Sequence, residues 1–125
     1  MKKYIYWLLL LLLCNVCIGQ DFINKDDFSD KIAKDIVAVE FWAGWNAQNE
    51  FKELNKLKEC MVYRIDITHN MEVQSKYNVS AIPTIIIFES GRMKEVFGPN
   101  IMFQLEADKK TIQNSIDTLL LNKFQ

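Results

Sequence analysis

Apolar positions along the chain change period several times, and each change marks a predicted element. Ile36 to Ala43 (IVAVEFWA) is a near-continuous apolar run, the pattern of a strand buried on both faces. Over Ala47 to Lys58 the pattern turns helical, with Ala47, Phe51, Leu54 and Leu57 apolar and lysines and glutamates between them. Met61 to Ile67 (MVYRIDI) reads as a second strand, and Asn70 to Tyr77 as a helix with Met71, Val73 and Tyr77 as its apolar contacts. Ile85 to Phe88 is the most apolar strand, closed by a Ser90-Gly91 turn, and Met93 to Phe97 pairs back as a hairpin that ends at Gly98-Pro99. The stretch to Ala107 is irregular, with Ile101, Met102, Phe103 and Leu105 expected to pack down. Asp108 then caps a final helix that carries Ile112, Ile116, Leu119 and Leu120 on one side. Ahead of the main run, Asp21 to Asn24 is a weak strand and Asp26 to Ala33 a short helix with Phe28 and Ile32. Strands alternating with helices, then a hairpin, then a helix predict an α/β fold: one domain, a central mixed β-sheet flanked by helices on both faces.

The start of the chain follows another pattern. Lys2 and Lys3 precede an apolar run from Tyr4 to Cys14, followed by small residues at Cys17 and Gly19. This is the layout of a secretory signal peptide over residues 1–19, leaving a domain over residues 20–125. The protein is therefore expected to be exported, to a bacterial-type periplasm or beyond, with an uncleaved membrane anchor as the alternative. The apolar run is shorter than the roughly 20 residues of a spanning helix. Lipidation at Cys14 or Cys17 is disfavoured by bulky Leu13 and Val16. Removing the leader takes away Lys2 and Lys3, so 15 basic residues against 16 acidic become 13 against 16, a net charge of −3. Nothing in that balance suggests a nucleic-acid partner. Of three cysteines only Cys60 remains, so no internal disulfide can form.

Two longer stretches resemble one family. "VEFWAGWNAQN" (residues 39–49) is similar to the thioredoxin active-site segment, where Trp-Ala-x-Trp leads into Cys-Gly-Pro-Cys. "KYNVSAIPTIIIFESG" (residues 76–91) is similar to the stretch in which a Tyr precedes Ile-Pro-Thr, an apolar strand and a turn glycine. Gly98 stands where that family has a glycine after its last strand. The resemblance implies a thioredoxin fold from Asp21 onward. It departs in a segment about two helical turns shorter before the Arg64 strand, and in a longer loop over Asn100 to Ala107. The larger departure lies in the motif Trp45, Asn46, Ala47, Gln48, Asn49, where Asn46 and Asn49 occupy both cysteine positions. A carboxamide does not ionise near neutral pH, is no sulfur nucleophile and stores no electrons, so the family's dithiol chemistry is not available there. Asn46 is read as the N-cap of the following helix, worth about 1 kcal/mol, with direct contact to a ligand as the other reading. The resemblance also implies a cis peptide at Ile82-Pro83, and a shallow peptide-binding groove bordered by Trp45, Ala81, Ile82, Pro83 and Gly98. The same residues could serve only to hold the loop.

Glu40 is the odd residue of the best strand, because a carboxylate buried on both sides is costly unless paired or protonated. It matches the family's buried acid, and Arg64 matches that acid's lysine partner, so a buried Glu40–Arg64 ion pair is expected. Cys60, a free thiol at a helix-to-strand junction, is read as a small buried hydrophobe, with an intermolecular disulfide as the alternative. His69, in the polar turn Thr68-His69-Asn70, has no neighbouring ligand set and is read as solvated; no metal and no cofactor are expected. Lys52, Lys56 and Lys58 with Glu50, Glu53 and Glu59 are read as a charged helix face. The resemblance implies a thioredoxin-like protein without the redox cysteine pair, acting as a non-catalytic peptide-binding, protein-binding or chaperone-like module, with no catalytic residue assigned. Two other readings stand beside it: a diverged thiol-disulfide oxidoreductase working through Cys60, and a structural subunit, a homodimer included, that docks through the Asn100–Ala107 loop. Membrane contact is expected only through the leader, if it is retained.

Overall fold

The apolar run forms β2 (Ile36–Trp42), and both of its edges are paired. β3 (Met61–Asp66) lies parallel to it and β4 (Thr84–Glu89) antiparallel, and side chains on both of its faces are buried under the elements packed against the sheet. β1 (Phe22–Ile23) adds in parallel to β3, and β5 (Arg92–Phe97) antiparallel to β4, giving the sheet order β1-β3-β2-β4-β5. This computed structural model describes residues 22–124; the leader read at residues 1–19 lies outside the described residues.

The two-residue period of β2 sorts its side chains into two cores. Val37, Val39 and Phe41 join Ile65, Ile86 and Phe88 beneath α1 (Lys25–Ile32) and α2 (Met71–Lys76). Ile36 and Ala38 join Ile85 and Ile87 on the other face, with Phe51, Leu54 and Leu57 and with Ile112 and Ile116 of α3 (Lys109–Asn122). α1 begins where the Asn24 side-chain oxygen accepts the N–H groups of Asp26 and Asp27 at 2.9 and 3.1 Å. Asp26 and Asp27 at its positive end and Lys31 at its negative end follow the helix dipole. Asp108 caps α3, accepting the Thr111 N–H at 2.8 Å. Between β4 and β5, Ser90 and Gly91 both hold left-handed backbone (φ 50° and 83°), as a tight hairpin turn requires. Their N–H groups donate to Asp35 and Ile32, docking the hairpin on the end of α1.

The helix expected over Ala47–Lys58 does not form. Two 3₁₀ turns, Gly44–Asn49 and Leu54–Lys56, replace it, separated by extended backbone at Glu50 (ψ 151°). The Phe51 N–H and C=O, which a helix would have used, instead bond the buried side chains of Glu40 and Arg64. Phe51, Leu54 and Leu57 still face the sheet, because a spacing of three is also the 3₁₀ period. Met71 is exposed rather than a core contact: it stands two residues from buried Val73, and positions two apart point to different sides of a helix. Ile101, Met102 and Phe103 do not pack down either. Asn100 closes their turn on itself, its side-chain oxygen accepting the N–H groups of Met102 and Gln104 at 2.8 and 3.1 Å, and the three side chains stay exposed.

Candidate functional site

The C-terminal end of β2 feeds directly into the Gly44–Asn49 turn, and the Ile82–Pro83 loop, with a cis peptide, lies against that turn. Ala43, not Asn46, occupies the cap position, and it makes no side-chain cap. Asn46 sits inside the turn with non-helical backbone (φ −122°, ψ 23°), buried, and its amide is engaged at both ends. Its Nδ2 donates to the Phe103 carbonyl at 3.0 Å and, at a longer 3.4 Å, to the Ile82 carbonyl. Its Oδ1 accepts from Asn49 Nδ2 at 2.8 Å. The two asparagines thus form one amide chain that ends on backbone carbonyls from two separate loops. Such a chain can orient and hold polypeptide carbonyls, and it offers no ionisable or nucleophilic group. Ala47 is half-buried and Gln48 exposed in the same turn.

Trp45 stands out from this turn, 63% exposed, with its ring edge-on to Phe103 at a centroid distance of 5.6 Å. Ile82 and Pro83 are buried and offer no open wall. Ala81 is half-buried, and its carbonyl accepts the Thr84 hydroxyl at 2.7 Å. Gly98 lies at the base of the 98–107 loop, where its carbonyl accepts the Glu106 N–H at 3.2 Å; a Cβ there would meet open space. Trp45, Asn46, Ile82 and Phe103 are therefore brought together, and the loop tip was the participant that spacing did not identify. Its available signal was the aromatic residue inside the extra length of that loop.

Beneath the turn, Glu40 and Arg64 pair in register across β2 and β3. Arg64 Nε donates to Glu40 Oε1 at 2.7 Å, and an Arg64 terminal nitrogen donates to the Phe51 carbonyl at 2.6 Å. Glu40 Oε2 accepts the Phe51 N–H at 2.8 Å, so the pair pins the segment that replaces the helix. Burial pushes the Glu40 carboxyl above the usual carboxylate range, against the opposing pull of the Phe51 N–H and the Arg64 charge. The other Arg64 terminal nitrogen is buried with no hydrogen bond, 3.8 Å from Glu50 Oε2. Glu50 also accepts Trp42 Nε1 at 2.9 Å, so it joins this network as well as the charged surface, where its other oxygen lies 3.8 Å from Lys52 Nζ. Buried Asn70 was likewise missed: its amide accepts the Lys25 N–H and donates to the Asp66 carbonyl, both at 2.8 Å, tying α1 to the start of α2.

Cys60 lies at the opposite end of the sheet, beside Ile36 and Met61, the first residues of β2 and β3. The length of β2 sets it about 20 Å from the Asn46 turn. Burial, and then the carboxylates of Asp117 and Glu59, push its thiol up to about 11. His69 is exposed, 4.0 Å from Asp66, and among the described residues no cluster of His, Cys, Asp or Glu could hold a metal ion.

A mixed sheet in the order β1-β3-β2-β4-β5, with a cis-proline loop set against the turn that leaves the central strand, defines a thioredoxin fold. The comparisons agree. The chain belongs to the thioredoxin family, whose model matches residues 20–117. It is 34% identical over 80 residues to the thioredoxin of Alicyclobacillus acidocaldarius, covering 57% of this chain and 75% of that protein. It is 28% identical over 81 residues to the thioredoxin of Chlamydia trachomatis, covering 58% and 78%. Among solved structures, a mutant thioredoxin from Halobacterium salinarum superposes with a TM-score of 0.65 at 20% identity, covering 81% of this chain and 90% of that one.

Proposed function

We propose that this family member is exported, has no dithiol redox activity and binds extended polypeptide at the Trp45–Asn46–Ile82 site. The observation that carries the reading is the amide chain from Asn49 through Asn46 to the Ile82 and Phe103 carbonyls, which stands where the resemblance expects two thiols. Carboxamides at those positions leave backbone recognition as the chemistry on offer, and exposed Trp45 supplies an apolar surface beside it. Export rests on the leader at residues 1–19.

The oxidoreductase reading through Cys60 is disfavoured, because a thiol near 11 is almost wholly protonated at neutral pH and sits far from the site. The subunit reading keeps one observation in its favour: Ile101 is 97% and Met102 67% exposed at a loop tip that is tied to itself. Insulin reduction with dithiothreitol as donor tests the central proposal, and no rate above the uncatalysed one is expected. A rate that vanishes on Cys60→Ser would overturn it. A photoreactive residue at position 45 should label polypeptide partners in the native compartment; labelling obtained only from residues 101 and 102 would favour the subunit instead.

A further inference from the structure

The proposed site already has an occupant, and the chain itself supplies it. Phe103 brings two things to the site: a carbonyl 3.0 Å from Asn46 Nδ2 and a ring at 85° to that of Trp45. An extended polypeptide seated there would bring the same two, a backbone acceptor for the amide and an apolar side chain for the indole. Phe103 is held in place lightly. Among the described residues, its carbonyl makes the only hydrogen bond that joins residues 99–105 to the rest of the protein. The other bonds of the loop are internal: the Asn100 side chain accepts the Met102 and Gln104 N–H groups, the Asn100 N–H donates to the Gln104 carbonyl and the Phe103 N–H to the Asn100 carbonyl, while half-buried Leu105 packs its base against the α3-side core. The Phe103 backbone is also left-handed (φ 57°), a conformation that a bulky aromatic residue adopts at a cost.

We propose that the 99–105 loop is a displaceable strap: Phe103 stands in for the ligand, and a client enters by presenting an aromatic or large apolar residue that takes its place. This rests on the polypeptide-binding reading and adds to it both a selectivity and a gate. A client without such a residue would have to lift the ring from Trp45 with nothing to replace it.

The test measures fluorescence anisotropy with the purified protein and two labelled probes, an unstructured Gly-Ser peptide with one central Phe and its Ala twin. Phe103→Gly is the informative variant, because glycine accepts the left-handed backbone and leaves the turn intact. It should tighten binding of the Phe peptide roughly three- to tenfold, the range set by one aromatic pair. The Ala twin should bind more weakly throughout, and Trp45→Ala should abolish binding of both. In the unmodified protein, the nuclear Overhauser contact between the Trp45 and Phe103 rings should disappear as the Phe peptide saturates. Unchanged or weaker binding by Phe103→Gly, or a ring contact that survives saturation, overturns the strap while leaving the groove reading in place. Absence of binding in every variant, or binding indifferent to Trp45→Ala, overturns the groove reading and the strap with it.

Discussion

Glu40→Leu removes the acceptor of two buried hydrogen bonds, from Arg64 Nε and from the Phe51 N–H. Arg64 cannot release its charge, so the guanidinium stays ionised in the core, and the loss should be about 4 kcal/mol, a large share of a small domain's stability. Arg64→Leu should cost less, because Glu40 can take up a proton, and burial already pushes its carboxyl in that direction. A native carboxyl raised above its unfolded value near 4.3 holds an extra proton in the folded state. Stability is therefore lost as pH rises through the window between the two values and regained toward acid, by about 1.4 kcal/mol per pH unit. Removing the arginine widens that window upward, so the cost of Arg64→Leu relative to the unmodified protein should shrink as pH falls. The double variant buries no charge but leaves the Phe51 N–H and C=O unpartnered, at roughly 1–3 kcal/mol for each orphaned group. It should still be more stable than Glu40→Leu, because no ionised group is left stranded in the core. Urea unfolding followed by far-ultraviolet circular dichroism at pH 5 and pH 7.5 measures all four proteins, with the m-value as a check on two-state behaviour. A double variant no more stable than Glu40→Leu, or an Arg64→Leu cost that ignores pH, would refute the reasoning.

Three further outcomes are expected. Cys60, its thiol pushed up to about 11, should react with iodoacetamide at pH 7.5 about a hundredfold more slowly than free cysteine, and a comparable rate would mean that it is not shielded. Asp108→Ala should destabilise the protein at pH 7. The Thr111 N–H holds the Asp108 carboxyl below its ordinary value, so the contribution is present above the unfolded value and lost as pH falls through the folded one; urea curves of the two proteins should converge once the carboxyl is protonated. Gly91→Ala should cost about 1 kcal/mol in thermal or urea unfolding, because φ is 83° there while the nearest atom to a new Cβ, at 3.9 Å, is in ordinary contact.

The sheet was legible because its signals are local and redundant. The apolar run from Ile36, the Ser90-Gly91 turn and the Asp108 cap each state their element within a few residues, and the structure has all three. What sequence could not resolve was competition for hydrogen bonds across the fold. A spacing of three over Phe51, Leu54 and Leu57 suits an α-helix and a 3₁₀ turn alike, and the choice fell to Glu40 and Arg64, which claim the backbone of Phe51 from β2 and β3. Asn46 shows the same limit. Its residue type fits a cap, yet its partners are the Phe103 carbonyl, 57 residues away, and the Ile82 carbonyl, 36 residues away. The exposed tip at Ile101–Phe103 misled for the opposite reason: apolar residues implied burial, while Asn100 had already closed their turn.

The amide at position 46 also shapes which substitutions are accessible to the chain. It touches Asn49, the cis-proline loop and the 98–107 loop at once, so a change there alters three segments together. A cysteine at 46 would face the Phe103 carbonyl without the two donors of the amide and would leave Asn49 without its acceptor. A cysteine at 49 alone would gain no sulfur partner. Thiols at both positions would still lie beneath a loop whose tie to the body depended on the missing amide. A disulfide at this site would therefore need concerted change at both positions and in the loop. The hydrogen-bond chain couples three segments through one side chain.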